Sequence, residues 1–306
     1  MTNNKIPIAL ITDSNYAMQV SVVISSIIAN KNASTIYDIF ILANNLKRED
    51  KEKLSTLSMQ SVSVNIIDMN GKYNDLPNKT HWSNAIFLKF DIPNIIKNYD
   101  KIIYLDADII VQKDLTALYK VHLKDSYAAV VPDIAQVLKK AEVLKDYVNY
   151  FNAGMILFNA KKIREDNLTE KFVQCYIHNN EKFISPEQDT FNYIFGKNIV
   201  HIHPKFQYIT LYDNFFKRHL LKFYKLKNKD ELKKENLAIL HYATMTPWKF
   251  SNIAYGEIWD KYYTISPYYN SNFKRKKYNN LLNLYRLIRY NFKFCLFKKK
   301  LFFNYE

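Results

Sequence analysis

The chain has 306 residues, of which 48% are hydrophobic, and its formal net charge is +15. This length and apolar content suit one large domain with a sizeable core and exclude an intrinsically disordered chain. Only four glycines occur, Gly71, Gly154, Gly196 and Gly256. Their spacing excludes a GxGxxG or Walker-type phosphate loop, so a diphosphate would have to be held by other means, such as a metal ion.

Strand-like and helical patterns alternate along the chain. Five apolar runs predict buried strands: Ile6–Ile11, Tyr37–Leu42, Val62–Ile67, Lys101–Leu105 and Tyr127–Val131. Two apolar stripes have helical spacing, the first formed by Val20, Val23, Ile24, Ile27 and Ile28, the second by Ile134, Val137, Leu138, Ala141, Leu144 and Val148. This alternation predicts an α/β domain with a mostly parallel sheet. Ligands bind beyond the carboxyl ends of the strands in such sheets, so polar residues after apolar runs are candidate site residues.

Asp106 and Asp108 follow the apolar run that ends at Leu105. Alternate residues of an extended chain project to the same side. Two carboxylates at this spacing can therefore share a divalent ion, and hard oxygen ligands suit Mg²⁺ or Mn²⁺. Such an ion can neutralise a diphosphate leaving group. The alternative is a pair of solvated turn aspartates.

Three further segments contain candidate site residues: His241, Asn152–Gly154 and Pro186–Asp189. His241 follows the apolar run Leu237–Leu240, where a histidine is usually structural, but as a third ligand it would favour Mn²⁺ over Mg²⁺. Gly154, after Asn152 and Ala153, predicts a close backbone approach or a positive φ angle; the alternative is an ordinary turn. Pro186–Asp189 reads as a helix start, with acidic residues in its first turn.

Together these segments resemble glycosyltransferase family 8, most closely the bacterial lipopolysaccharide galactosyl- and glucosyltransferases, with glycogenin a more distant relative. The similarity covers roughly residues 6 to 260. It rests on Asp13–Tyr16, Tyr104–Asp108, Asp133, Phe151–Gly154, Gln188–Asp189, His241–Tyr242 and Pro247–Trp248. Each motif is short, and their order and spacing make the match specific.

The resemblance implies a GT-A nucleotide-diphospho-sugar transferase fold, a Rossmann-like mixed and mostly parallel sheet. It implies retaining transfer of a hexose, galactose or glucose, from a UDP-sugar to a lipopolysaccharide or lipooligosaccharide acceptor. It places Mn²⁺, or alternatively Mg²⁺, on Asp106, Asp108 and His241. Asp13, Asn15 and Tyr16 would surround the uridine, and Ala107 belongs to the same donor-binding set. Asp133 and Asn152 would contact the donor sugar or the acceptor, with Ala153 packed beside them.

Gln188 lies, by the same resemblance, on the face of the sugar where a retaining nucleophile would stand. An amide is a poor nucleophile, so Gln188 is expected to stabilise positive charge at the anomeric carbon. We therefore favour a front-face mechanism, in which the departing phosphate helps to deprotonate the acceptor hydroxyl. Glu187, as nucleophile of a double displacement, is the alternative.

Two departures from the family pattern concern the donor site. Phe87 stands where the bacterial enzymes commonly have an arginine. The loop from His241 to Trp248 is one residue shorter than usual and lacks its glycine and its lysine, which normally touches the diphosphate. Lys249 is the candidate replacement for that lysine.

The C-terminal segment is strongly basic: residues 271–306 contain ten Lys or Arg and one acid. Cations mixed with aromatic residues predict a helical tail at an anionic membrane surface. The alternatives are a solvated or core-packed helix and, without any recognised binding module, the less favoured nucleic-acid contact. We therefore expect a catalytic domain over residues 1–265 and a membrane-associating tail over residues 266–306.

Compartment and rival functions complete the expectations. Cys175 and Cys295 form no CxxC motif or disulfide framework, and no signal peptide or spanning helix is expected. The chain is thus expected to be cytoplasmic, peripheral on the inner face of the cytoplasmic membrane, and to bind no nucleic acid. One rival is a haloacid-dehalogenase-type phosphatase, which also has an Asp-x-Asp after a strand. The other is a decayed, non-catalytic transferase that binds sugar or lipid.

Overall fold

A computed structural model of the chain describes residues 5–80, 83–140, 149–278 and 280–302. The strands in these ranges are β1 (Lys5–Thr12), β2 (Ile36–Ala43), β3 (Val62–Asp68), β4 (Lys101–Leu105), β5 (Ile109–Val111), β6 (Ala128–Val130), β7 (Met155–Asn159), β8 (Ile199–His201), β9 (Tyr208–Ile209) and β10 (Ile239–His241). The α-helices in the same ranges are α1 (Ala17–Asn30), α2 (Arg48–Ser55), α3 (Ile92–Ile95), α4 (Thr116–Tyr119), α5 (Ile134–Lys140), α6 (Ala160–Glu165), α7 (Leu168–Asn179), α8 (Pro186–Phe195), α9 (Lys217–Phe223), α10 (Gly256–Tyr263) and α11 (Asn280–Phe302). Short 3₁₀ helices span Asn84–Asp91, Pro204–Phe206, Thr210–Asn214, Lys229–Leu232 and Lys234–Asn236.

The large sheet has seven strands in the order β3-β2-β1-β4-β7-β6-β8. β1 pairs in parallel with β2 and β4, β2 with β3, and β6 with β8, whereas β7 is antiparallel to both β4 and β6. The five predicted strands are confirmed as β1 to β4 and β6. The fold is therefore the predicted mixed and mostly parallel sheet of an α/β domain.

The predicted apolar stripe of α1 forms part of the core. Val20, Val23 and Ile24 are fully buried against the sheet, and Ile28 is half-buried. Of the second predicted stripe, Ile134, Val137 and Leu138 lie buried on α5. Its remaining members, Ala141, Leu144 and Val148, lie outside the described residues.

A small three-stranded sheet places the end of β10 beside the start of β5. Its order is β5-β10-β9, with β10 antiparallel to β5 and parallel to β9. His241, the last residue of β10, is paired with Ile109, the first residue of β5. Asp108 precedes Ile109 in the chain, so this register carries His241 to the aspartate pair that follows β4.

The predicted basic helical tail is present as α11. One side of this helix packs on the rest of the domain: Phe294 is buried and stacks on His219 with ring centroids 4.1 Å apart, and Tyr290 stacks on Phe215. Asn291 accepts from the Phe216 backbone N–H (2.7 Å) and donates to the Asn214 carbonyl (2.8 Å). Within the described ranges, no helix has the length and apolar character needed to cross a membrane.

Candidate active site

Asp106, Asp108 and His241 meet at the carboxyl end of β4. One ligand atom from each lies within 4.8 Å of the others. The Nε2 atom of His241 is 3.1 Å from Oδ1 of Asp108 and 3.9 Å from Oδ2 of Asp106. Two carboxylates and an imidazole form a donor set that suits Mn²⁺ and accepts Mg²⁺ less well. The residues present therefore fit a divalent cation.

Backbone contacts keep the three candidate ligands in register. The Asp106 N–H donates to the Gly154 carbonyl (2.8 Å), and the Tyr242 N–H donates to the Asp108 carbonyl (3.0 Å). Gly154 lies against the His241 ring, where an added Cβ would be 2.3 Å from Cε1. Since Gly154 does not have a positive φ, the predicted reason for this glycine is the close backbone approach.

Lys89 is a site residue that the sequence reasoning missed. Its side chain is only 4% exposed, and its ammonium lies 3.0 Å from Oδ1 of Asp106 and 2.9 Å from Oε1 of Glu187. It also lies over the ring of Tyr104, whose hydroxyl donates to the same oxygen of Asp106. The available signal was a lysine between the apolar residues Leu88 and Phe90, because a buried lysine requires a carboxylate partner.

These contacts set the charges of the cluster. Burial alone lowers the pKa of Lys89, but Asp106 and Glu187 raise it above its ordinary value. Burial alone raises the pKa of Asp106, yet Lys89 and then His241 bring it below the usual range. For His241, burial lowers the pKa, and the charge and hydrogen bond of Asp108 raise it above 6.5 overall. Asp106 is therefore ionised at neutral pH, as a metal ligand must be.

Gln188 lies in a buried hydrogen-bonded group beside this cluster. Its Oε1 accepts from the Ala153 N–H (3.0 Å), and its Nε2 donates to the Tyr150 hydroxyl (2.9 Å). Tyr150 donates in turn to Asp189 (2.6 Å), whose other oxygen accepts the N–H groups of Ile184 and Ser185. The helix α8 begins at Pro186, as predicted, and Asp189 ties the segment before it to Tyr150, so that this group of hydrogen bonds holds Gln188 in one orientation.

Asp133 and Asn152 join the cluster from a second side. Asp133 directly precedes α5, and its Oδ1 accepts from the N–H groups of Ala135 and Gln136. Its Oδ2 is 3.4 Å from Nδ2 of Asn152, and burial raises the pKa of Asp133 above its ordinary value. Oδ1 of Asn152 accepts from Nε2 of Gln207 at 2.6 Å, and the same nitrogen is 3.2 Å from Nδ1 of His241.

The predicted uridine residues lie in the turn between β1 and α1. Oδ1 of Asp13 accepts from the N–H groups of Asn15 (2.9 Å) and Tyr16 (3.1 Å), so this carboxylate shapes the turn. Asn15 is exposed, and the Tyr16 ring packs edge-on against Trp248 with centroids 6.2 Å apart. Burial raises the pKa of Tyr16, and the negative charges of Asp108, Asp13 and Asp106 raise it further.

The structure also places the remaining candidate residues. Phe87 is fully buried, with its ring centroid 4.6 Å from that of Tyr176, and belongs to an aromatic core rather than to a ligand surface. Ala107 is half-buried against the main core between the two aspartates. Lys249 is exposed, one residue beyond Trp248, and its backbone carbonyl accepts from the Lys276 N–H.

Sequence comparison gives a match to a family model. The model described as "Glycosyl transferase family 8" matches residues 7–252, which include every candidate residue above. A lipopolysaccharide 1,2-glucosyltransferase of Escherichia coli is 29% identical over 91% of this chain and 88% of its own length. General stress protein A of Bacillus subtilis is 24% identical over 63% of this chain and 70% of its own length.

Solved structures share the fold. The galactosyltransferase LgtC, crystallised with donor and acceptor sugar analogues, superposes with a TM-score of 0.72 at 19% identity, covering 87% of this chain and 98% of LgtC. The bifunctional glycosyltransferase WbbM has a TM-score of 0.70 at 21% identity and covers 88% of this chain, which matches 51% of WbbM. The predicted GT-A architecture is therefore confirmed.

Proposed function

The chain belongs to glycosyltransferase family 8 and is a glycosyltransferase, and from this premise we propose a specific reaction. It transfers a hexose, glucose or galactose, from a UDP-sugar to a lipopolysaccharide or lipooligosaccharide acceptor, with retention at the anomeric carbon and with Mn²⁺. The observation that carries the proposal is the meeting of Asp106, Asp108 and His241 at the carboxyl end of β4. The relative from E. coli that bears the name lipopolysaccharide 1,2-glucosyltransferase supports the class of acceptor.

In this proposal Asp106, Asp108 and His241 would hold the Mn²⁺. When bound, that ion supplies Lewis-acid stabilisation of the departing diphosphate. Tyr16 covers one side of the nucleotide, and Asp13 keeps the turn in shape by accepting two backbone N–H groups. Asn152, whose carboxamide lies between Asp133 and Gln207, faces the sugar. Lys249 is exposed near Trp248, and the role we assign to it is a contact to the diphosphate.

The front-face mechanism is supported by the state of the two candidate nucleophiles. Oε1 of Glu187 is held at 2.9 Å by Lys89, an ion pair that lowers the nucleophilicity of a carboxylate. Both ends of the Gln188 amide are engaged, by Ala153 and by Tyr150, so its oxygen is fixed rather than free to swing. A fixed dipole is the arrangement that stabilises a developing charge at little reorganisation cost.

Neither rival function is favoured. The match to a different family over residues 7–252 argues against a haloacid-dehalogenase-type phosphatase. The position of His241 beside the two aspartates also argues against it, because such a phosphatase has no role for this histidine. A decayed transferase would explain Phe87 in place of the family's arginine and the shortened loop from His241 to Trp248. Phe87 packs in the core, however, while the three candidate metal ligands remain together.

We further infer that α11 rests on an anionic membrane at the cytoplasmic face, where a glycolipid acceptor would be presented. The side of α11 that faces away from the rest of the domain exposes a row of large apolar residues: Leu281, Leu284, Tyr285, Ile288, Phe292 and Leu296. Arg286, Arg289 and Lys293 lie along one border of this row. An apolar stripe bordered by cations is typical of helices that lie in the membrane interface. The division into a catalytic domain (1–265) and a membrane-associating tail (266–306) is part of this proposal.

The experiment that tests the proposed reaction combines donor binding with donor hydrolysis. UDP with Mn²⁺ is expected to raise the melting temperature, since a ligand that binds only the native state stabilises it. Incubation with UDP-glucose, UDP-galactose and other UDP-sugars should then release UDP from one preferred donor when Mn²⁺ is present. Binding of UDP without hydrolysis or transfer from any donor would favour the decayed enzyme, and no response to UDP would contradict the donor assignment.

A further inference from the structure

We propose that Gln207 is a positioning residue that couples the candidate metal ligand His241 to Asn152 on the sugar side of the site. The proposal rests on the metal and donor sites proposed above and adds a residue to them. Gln207 is fully buried at the end of the 3₁₀ helix Pro204–Phe206, directly before β9. β9 pairs with β10 in a register that sets Ile209 opposite His241, so this short strand brings the Gln207 side chain to the imidazole.

The contacts of the Gln207 amide are unequal. Its nitrogen lies 2.6 Å from Oδ1 of Asn152 and 3.2 Å from Nδ1 of His241. Its oxygen is buried and has no hydrogen-bond partner among the described residues. A buried amide oxygen without a partner is costly in a native structure, which points to a second arrangement in which this oxygen is used.

The chemistry of a histidine ligand supplies that second arrangement. A neutral imidazole that coordinates through Nε2 carries its proton on Nδ1, so the group opposite Nδ1 must accept a hydrogen bond. A half-turn of the Gln207 amide presents its oxygen to Nδ1–H. The same half-turn replaces the N–H that Asn152 Oδ1 had accepted with a second oxygen, and because Oδ1 also accepts from the Gly154 N–H (2.9 Å), the Asn152 side chain must shift to relieve the contact. Metal loading and the sugar contact of Asn152 are thereby linked through one side chain.

The test measures Mn²⁺ affinity by calorimetry in the full-length protein, in the presence of UDP. Gln207→Leu removes the acceptor and is expected to weaken Mn²⁺ binding about 10- to 100-fold, the usual effect of losing a group that orients a ligand. Gln207→Glu keeps an acceptor opposite Nδ1 but cannot donate to Asn152. It is expected to bind Mn²⁺ at least as tightly as the wild type and to have a similar KM for the sugar donor, because Asn152 Oδ1 loses the Gln207 N–H in the metal-loaded wild type as well. If Gln207 had a merely structural role, both variants would lose Mn²⁺ affinity.

The control is Gln112→Leu, because Gln112 is a half-buried glutamine that follows β5 at the end of the small sheet away from His241. This variant should bind Mn²⁺ like the wild type. Wild-type affinity in Gln207→Leu, or an equal loss of affinity in Gln207→Leu and Gln207→Glu, would overturn the proposal. If Gln207→Leu does not fold, the test depends on Gln207→Glu, and weakened Mn²⁺ binding by that variant is enough to overturn the proposal. Failure of the wild type itself to bind Mn²⁺ would instead overturn the proposed metal site.

Discussion

The ammonium of Lys89 holds one oxygen of Asp106 at 3.0 Å, and the other oxygen of that carboxylate faces Nε2 of His241. The same ammonium holds Glu187, the neighbour of Gln188. One buried cation therefore fixes a candidate metal ligand just after β4 and the start of α8 relative to each other. The metal side and the sugar side of the site are joined here by charge, as they are joined by hydrogen bonds at Gln207.

Lys89→Met is expected to destabilise the protein, because it leaves two carboxylates close together without the cation between them. Breaking a buried ion pair costs about 3–5 kcal/mol, and the partial exposure of Asp106 favours the lower end of this range. A bound Mn²⁺ replaces part of the lost positive charge, so the melting temperature should rise more on Mn²⁺ addition than it does in the wild type. Thermal unfolding with and without Mn²⁺ measures both effects, and an unchanged melting temperature would contradict them.

Asp108→Asn is expected to abolish most of the transfer while the fold is retained. A metal ion contributes several kcal/mol to the stabilisation of a leaving group, so its loss should lower kcat/KM by roughly 100-fold or more. Circular dichroism and the melting temperature should stay close to those of the wild type. Near-normal activity of this variant with added Mn²⁺ would show that Asp108 is not a required ligand.

Gly154→Ala is expected to displace the His241 ring, because the new Cβ would lie 2.3 Å from Cε1. Overpacking of this kind costs about 1–3 kcal/mol, and the displaced ring should also weaken Mn²⁺ binding. The matched control is Gly256→Ala, where the nearest atom to an added Cβ is 3.4 Å away and φ is not positive. Equal Mn²⁺ affinities in the two variants, measured by calorimetry, would count against the close approach as the reason for Gly154.

The pH dependence of metal binding follows from the raised pKa of His241. Asp108 and Asp106 favour the protonated ring in the metal-free protein, and a proton on Nε2 must leave before the ring can coordinate. Mn²⁺ affinity should therefore increase as the pH rises through the raised pKa of His241.

The stability of the metal-free protein should change with pH in the opposite direction. Protonation of His241 stabilises the fold below the unfolded pKa of about 6.5, and this contribution is lost as the pH rises through the folded pKa. Calorimetry and thermal unfolding between pH 6 and pH 9 would measure both trends; an affinity that does not change with pH would contradict the first.

Sequence patterns could predict the features of this fold that depend on local order. The strand that ends at Leu105, the aspartates after it and the glycine beside His241 follow from apolar runs and spacing, and all appear as expected. Lys89 and Gln207 were not found in this way, because their partners are about 17 to 100 positions away in the chain and are set by tertiary packing. Asp133 and Asp13 were predicted as ligand contacts, and the structure adds that both carboxylates accept backbone N–H groups at helix starts or turns.

The two sides of α11 should respond differently to substitution. Ile288 and Phe292 are 63% and 64% exposed on the outer side, whereas Phe294 is 2% exposed on the inner side. Replacing Ile288 and Phe292 with serine should weaken binding to vesicles rich in anionic lipid by tenfold or more, since burying one such side chain contributes about 1.5–3 kcal/mol. The melting temperature and donor hydrolysis should not change. Phe294→Ala, the control, should instead cost about 3–5 kcal/mol of stability and keep its vesicle binding while folded. These substitutions are more specific than deletion of residues 272–306, because deletion also removes the hydrogen bonds between Asn291 and the 214–216 segment.

Vesicle co-sedimentation at low and high salt distinguishes the outcomes, and undiminished binding of the double serine variant would refute the membrane role of α11.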